Sequence, residues 1–296
     1  MSAPTAVLFD APGPRARRRT LIGSIIAGIA LLAVVVLIVL RLADRGQFDA
    51  ELWDPLVNPS DEDFPAVWRR IWAGLTVTLQ AAALAVVFSL IVGIVLASLR
   101  LSLGRAGRIP VIGLMELFRG LPVIVTILYV DILMRAIGIH QGPITTLVIA
   151  LTLYNCVIIA EITRAGVQSL PKGQVEAGLA IGLTRGQVMR MIQLPQAVRA
   201  MLPALISQLV VILKDTALAS IVLTGIQDLG KIADQLRGVL DNTLQTYFVI
   251  GLIYIVINIV LEQIARLVQR RMSGTRRSTG NVTVDEGVQV AGGRKA

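Results

Sequence analysis

Cysteine and histidine are nearly absent from this chain, with one of each in 296 residues. Cys156 lies alone inside an apolar run, which excludes an internal disulfide and a cysteine-built metal site. His140 sits in a glycine-rich turn without carboxylate or thiolate company, so it reads as a solvated loop residue rather than a ligand. Aromatics make up 4% and charged residues 16%. The pI near 10.5 suggests nucleic acid, but no interleaving of basic and aromatic residues supports that partner. No Ser/His or Asp/Asp pair stands at plausible spacing on facing apolar segments, which argues against an intramembrane enzyme. What is abundant is apolar: 55% hydrophobic residues and a mean hydropathy of +0.74 place the chain in the membrane class.

A bilayer core of about 30 Å needs about 20 apolar residues in a helix. Leu21 to Leu40 and Ile71 to Leu99 carry no charge and qualify as spans one and two. Leu121 to about Ile137 is span three, interrupted by Asp131 and Arg135. Span four is Ile144 to Ala160, running on through Glu161 and Arg164. Span five is about Ala200 to Leu223, broken by Lys214 and Asp215, and span six is Leu244 to Leu261. Six spans put both termini on one side. With that side cytoplasmic, 20 of the 28 basic residues lie inside, 7 outside and Lys214 within a span. The first outer segment, Arg41 to Arg70, instead holds seven acids. Span one exceeds the apolar run of a signal peptide and lacks a small-x-small site after it, so it reads as a retained anchor, packed peripherally against the core.

Between spans four and five the chain reads as two short amphipathic helices rather than a simple loop. Pro171 suits an opening turn, and Val175, Leu179 and Leu183 recur at helical spacing. Gly182 can end the first helix in a left-handed cap. Thr184 and Gln187 spell a capping box for the second. That helix shows Val188, Met191 and Ile192 on one side before Pro195 stops it. A water-facing helix pair with an apolar stripe calls for a protein partner.

These residues carry a resemblance. Glu176-Ala177-Gly178, three residues, Gly182, nine residues, Ile192, one residue, then Leu194-Pro195 resembles the EAA loop of bacterial ABC importer permeases. Only Gly178 departs, standing where Ala is usual. The resemblance implies that this loop, with Ala177, Leu183 and Thr184, docks into a groove on a separate ATPase subunit. Glu116-Leu117-Phe118-Arg119-Gly120-Leu121-Pro122 is similar to the segment opening a core span in the polar amino-acid branch. Gly74 to Leu79 resembles the opening of that branch's first core span, Ala160 to Gly166 followed by Pro171 to Gln174 the run that leads into its EAA loop, and Lys214-Asp215-Thr216-Ala217-Leu218-Ala219-Ser220 its Lys-Asp-Thr-Ser-Leu signature, with Ala217 where Ser is usual. That branch implies uptake of a glutamate-, glutamine- or aspartate-like solute.

Ionisable groups are costly in lipid and face the bundle interior. Asp131, Glu161, Arg164, Lys214 and Asp215 are the candidates, with Asn155 a neutral neighbour. Either they hold a zwitterionic substrate or they pair with one another, Glu161 with Arg164 and Lys214 with Asp215. Gly225 to Lys231 fits the first part of a phosphate-binding loop, but Ile232 stands where Ser or Thr should meet Mg²⁺ and no strand precedes it. Energy for transport must therefore come from another subunit. Residues 227–242, with alternating charges, read as an amphipathic helix on the outer face.

The expected fold is an all-α membrane protein of six transmembrane helices: a five-helix type I ABC importer permease core plus an N-terminal helix. The expected division is a basic cytoplasmic N-terminus (1–20), the first helix and acidic segment (21–70), the permease core (71–265) and a disordered cytoplasmic tail (266–296). Site residues in this reading are Glu176, Ala177, Gly178, Gly182, Leu183, Thr184, Ile192, Leu194 and Pro195 for coupling, and Asp131, Asn155, Glu161, Lys214 and Asp215 along the substrate path. No catalytic or metal site, cofactor or nucleic acid is expected in this chain. The resemblance implies an ABC ATPase dimer carrying ATP and Mg²⁺, a second permease, an extracytoplasmic amino-acid-binding protein, and a bacterial inner membrane. An ion-gradient-driven porter or channel is the rival, with Asp131 or Glu161 as relay. Paired repeats of spans, which such porters usually show, are not seen.

Overall fold

A computed structural model describes residues 13–139 and 141–273; His140 and the tail beyond Ser273 lie outside the described residues. All regular secondary structure among the described residues is helical, without strands. Five helices are long and apolar enough to cross a membrane, and a bent pair makes a sixth crossing if counted as one span. The described residues divide into two compact units: those up to 71 with 233–249, and those of 72–232 with 250 onward.

In the first unit, α1 (Pro14–Asp44) begins on a proline suited to an opening turn and buries none of its side chains. The acidic outer segment is not a loose loop. Ala50–Val57 forms α2, buries Leu56, and is tied down by polar bonds to backbone carbonyls. Asn242 Nδ2 donates to Leu52 O at 2.9 Å and Gln245 Nε2 to Gln47 O at 2.7 Å. Trp53 donates to Gln47 O at 3.0 Å and meets Phe248 edge to face at 5.7 Å between centroids.

The second unit is built on α3 (Phe64–Ser102, from Trp72 onward), α4 (Arg105–Arg119), α5 (Val123–Ala136) and α6 (Pro143–Gln168). It continues with α7 (Lys172–Ala180), α8 (Arg185–Val188), a π-helical turn (Met189–Gln193), α9 (Leu194–Thr216) and α10 (Ala219–Val222). Thirteen residues of α6 are buried, so it is the central post. One cluster joins Ala81, Ala85, Ile127, Leu147, Leu151 and Ile212; another joins Ala97, Met115, Cys156, Val157 and Ala160. Small side chains on α3 let backbones approach closely. At Gly93 an added Cβ would lie 2.7 Å from Ile159 Cγ2 and 2.8 Å from the Cys156 carbonyl.

Span three forms where expected, as α5, but its 14 residues fall short of a full crossing. α4 and α5 meet at 107°, and Pro122 caps α5 in extended conformation. Proline cannot donate into the preceding turn and pushes its neighbour Leu121 out of helical conformation, so one continuous span could not form. The break expected at Lys214 and Asp215 is also displaced, because α9 continues through both to Thr216.

α11 (Leu229–Leu240) is the expected amphipathic helix, burying Leu229, Ile232, Ala233 and Leu236 while Arg237 pairs with Asp234 at 2.7 Å. α12 (Thr243–Ser273) extends helix past 265, the expected edge of the core. The phosphate-loop lookalike is filled by the protein itself. Thr78 Oγ1 accepts from the Leu229 amide at 3.0 Å, and Asp228 Oδ1 accepts from the Lys231 amide at 2.9 Å. Those amides are not available to a nucleotide, and the buried Asp228 carboxylate would repel one.

Candidate functional site

The loop between spans four and five folds into a compact helical knob. α7 ends at a left-handed Gly182, φ +85°, a conformation other residues adopt only with strain. Leu183 N–H donates to Gly178 O at 3.1 Å and Gly182 N–H to Leu179 O at 3.0 Å, the double bond of a Schellman cap. The next residue starts α8 at once. Gln187 N–H donates to Thr184 Oγ1 at 3.3 Å and Thr184 N–H to Gln187 Oε1 at 2.8 Å, completing the capping box. A stop signal at Gly182 and a start signal at Thr184, one residue apart, fix the angle of the knob.

Gly178 is buried where α7 crosses the second helix. A Cβ there would come within 2.9 Å of Val188 Cγ2 and 3.0 Å of Ile192 Cδ1. Gln196 Nε2 donates to Gln174 Oε1 at 2.7 Å and to Ile192 O at 2.9 Å, stitching α7 to α9. Glu176, Ala177, Gly182, Thr184 and Pro195 are exposed, while Leu183, Ile192 and Leu194 are half-buried. Ile181 and Met191, 77% and 65% exposed, give the knob an apolar outer surface.

Two expectations for this segment fail. Pro195 does not stop the second helix but occupies the opening turn of α9, where its missing N–H is tolerated. The π-helical turn at Met189–Gln193 adds a residue to the turn and shifts the phase of the pattern. Val188 and Met189 are therefore the buried pair, and Met191 faces outward.

The intramembrane polar residues divide into paired and unpaired sets. Asp131 Oδ2 accepts from Arg135 Nε at 3.0 Å along α5. Glu161 accepts from Arg164 Nε at 2.8 Å, as the pairing alternative has it, and from Arg100 of α3 through its other oxygen. Arg164 in turn donates to Gln168 at 2.6 Å. Lys214 is exposed and forms no ion pair with Asp215 among the described residues. Asp215 lies beside Asn155, and its Oδ2 is buried without a hydrogen-bond partner. Asn155 is fully buried; its Nδ2 donates to Leu151 O at 2.9 Å, and its Oδ1 accepts from Gln208 Nε2 at 2.7 Å. Asn155, Gln208 and Asp215 thus form a polar seam between α6 and α9. Gln208 was not among the expected residues, although an uncharged amide seven residues before Asp215 shares its helix face.

An all-helical chain with membrane-length spans, a buried polar seam and a capped helical knob is what a transport permease of this kind is built from. The chain belongs to the family of binding-protein-dependent transport system inner membrane components, whose model matches residues 89–274. It is 37% identical to the glutamate transport system permease protein GluD of Corynebacterium glutamicum over 79% of this chain and 85% of that one. Against the glutamine transport system permease protein GlnP of Escherichia coli the identity is 30%, over 71% of this chain and 97% of that one. Among solved structures, an amino acid ABC transporter with histidines superposes with a TM-score of 0.63 at 30% identity, covering 70% of this chain and 96% of that chain.

Proposed function

We propose that this chain is the membrane permease subunit of an ATP-driven importer for a polar amino acid of the glutamate group. It moves solute by alternating access and carries no catalytic residues of its own. The observation that carries the reading is the knob, whose angle is locked by the Gly182 cap and the Thr184 box while Glu176 and Ala177 stay exposed. An ATPase dimer holding ATP and Mg²⁺ grips this knob, and closure of that dimer turns the transport path outward. Glu176, Ala177, Gly178, Gly182, Leu183, Thr184, Ile192, Leu194 and Pro195 make up the coupling element. A second permease, identical or related, supplies the other knob for a two-fold ATPase pair. A binding protein delivers the solute from outside. Residues 71–265 serve as the permease core, and both termini are cytoplasmic.

The glutamate-type assignment leans on the similarity to GluD. Asn155 and Asp215 line the solute's path, with the amide and carboxylate suited to an α-ammonium. The ion pairs made by Asp131 and Glu161 speak against a proton or sodium relay through them.

The test is uptake of labelled glutamate into vesicles holding the whole transporter with binding protein outside and ATP inside. Accumulation that needs ATP and survives an ionophore is expected. Accumulation that follows the ion gradient and ignores ATP would establish the porter instead. ATP-dependent uptake of another solute with no competition from glutamate would overturn the substrate assignment alone.

A further inference from the structure

The amphipathic helix α4 carries a distribution of side chains that transport coupling does not use. Its inner stripe, Val111, Met115 and Phe118, packs against Ala97, Cys156, Val157 and Ala160. At helical spacing the remaining residues separate into two arcs on opposite flanks of that stripe. One flank carries the charge: Arg105, Arg108, Glu116 and Arg119, all exposed, with the half-buried Ile112 among them and Ile109, 70% exposed, beside Glu116 at its outer edge. The other is apolar and also exposed: Pro110, Gly113, Leu114 and Leu117, with Leu114 49% and Leu117 60% accessible. Arg119 is paired with Glu116 at 3.6 Å, which leaves Arg105 and Arg108 as the net positive charge of the flank.

A water-facing helix would not keep Leu114 and Leu117 exposed, and a spanning helix would not carry three arginines. The pattern is that of a helix lying in the plane of the membrane interface, acyl chains on one flank and headgroups on the other. The 107° bend between α4 and the spanning helix α5 fits that placement. A guanidinium holds a phosphate through two parallel N–H donors, so Arg105 and Arg108 match phosphate oxygens at headgroup depth. We propose that α4 is a binding surface for anionic phospholipid, with Arg105 and Arg108 gripping the headgroup phosphate and Pro110, Leu114 and Leu117 seated among the acyl chains. In the topology proposed above, this is the cytoplasmic leaflet, where anionic lipid attracts basic residues.

The test uses the full-length chain in nanodiscs made from an equal mixture of phosphatidylglycerol and phosphatidylcholine. The lipids that stay bound after mild detergent extraction are counted by native mass spectrometry. Wild type should retain the anionic lipid preferentially, and Arg105→Gln with Arg108→Gln should lower that preference on the order of tenfold. Leu114→Ser with Leu117→Ser should lower retention of both lipids while leaving their ratio unchanged. An unchanged thermal midpoint in neutral detergent shows that the arginine variant is folded. Equal lipid ratios in wild type and the arginine variant overturn the proposal. So does loss of the preference on adding excess inorganic phosphate, which would make this a free-anion site, or exclusion of lipid from α4 by a second permease.

Discussion

The sharpest prediction concerns Gly178, the one position where the coupling motif departs from its usual residue. Gly178→Ala would put a methyl 2.9 Å from Val188 Cγ2 and 3.0 Å from Ile192 Cδ1. Relaxed carbon contacts lie at about 3.5–4.0 Å, so the overlap is roughly half to one ångström. The Ile192 δ-carbon can rotate aside. Val188 cannot: it is 1% exposed, and a β-branched residue in a helix keeps essentially one rotamer. Overpacking of this kind destabilises by about 1–3 kcal/mol. The gain in helix propensity from glycine to alanine returns about 1 kcal/mol, leaving a net loss of roughly 0–2 kcal/mol. Val188→Ala alone removes two buried methyls and should cost about 1.5–2.5 kcal/mol. In the double variant the new methyl occupies part of the vacated space. The two effects should then fall short of their sum by about 1 kcal/mol. Thermal unfolding of the purified chain in detergent measures all four corners of the cycle, and solute moved per ATP hydrolysed measures coupling. The single Gly178→Ala variant should hydrolyse more ATP per solute, and the double should recover much of the loss. Strict additivity, or a Gly178→Ala protein as tightly coupled as wild type, would refute the idea that this crossing sets the knob's shape.

Two further outcomes follow from the other interactions. Asn155→Leu should destabilise by about 1–3 kcal/mol because it strands the buried Gln208 amide, whereas adding Gln208→Leu should recover most of that stability; if uptake stays lost in the refolded double variant, the seam serves the solute, and unimpaired uptake removes it from the path. Trp53→Ala deletes both the edge-to-face contact with Phe248 and the bond to Gln47 O, so trypsin cleavage at Arg45 should accelerate several-fold in peptide mapping, and an unchanged rate would show that α2 is held by other means.

The amino-acid pattern revealed the knob better than the bundle around it. Gly182, Thr184 and Gln187 act through bonds reaching no more than a few residues, and both caps formed as read. Pro195 misled because it falls where the π turn hands over to α9, at the first turn of the new helix, and there its missing N–H is tolerated and the helical run carries on. No local signal encodes that added residue, so the outward turn of Met191 could not be read from spacing. Leu121 to Ile137 looked like a span by hydropathy, yet Pro122 decided its geometry. Arg100 and Gln208 went unnoticed because their partners, Glu161 and Asn155, lie 61 and 53 residues away in the chain. The acidic segment's anchoring through Asn242 and Gln245 joins residues almost two hundred positions apart, beyond the reach of any periodicity.

Between Arg185 and Thr216 there is no loop: α8, the π turn and α9 succeed one another without interruption. At 1.5 Å per residue, 32 residues make a shaft about 48 Å long, reaching from the knob to Asp215. A tilt of about 5° at one end of such a shaft swings the other by about 4 Å, enough to uncover or seal a passage for a small solute. The widened turn at Met189–Gln193 and the proline inside α9 at position 203 are the two places where its regular hydrogen bonding is interrupted. Restoring regular helix at either place would change how far such a tilt carries while leaving both ends chemically intact.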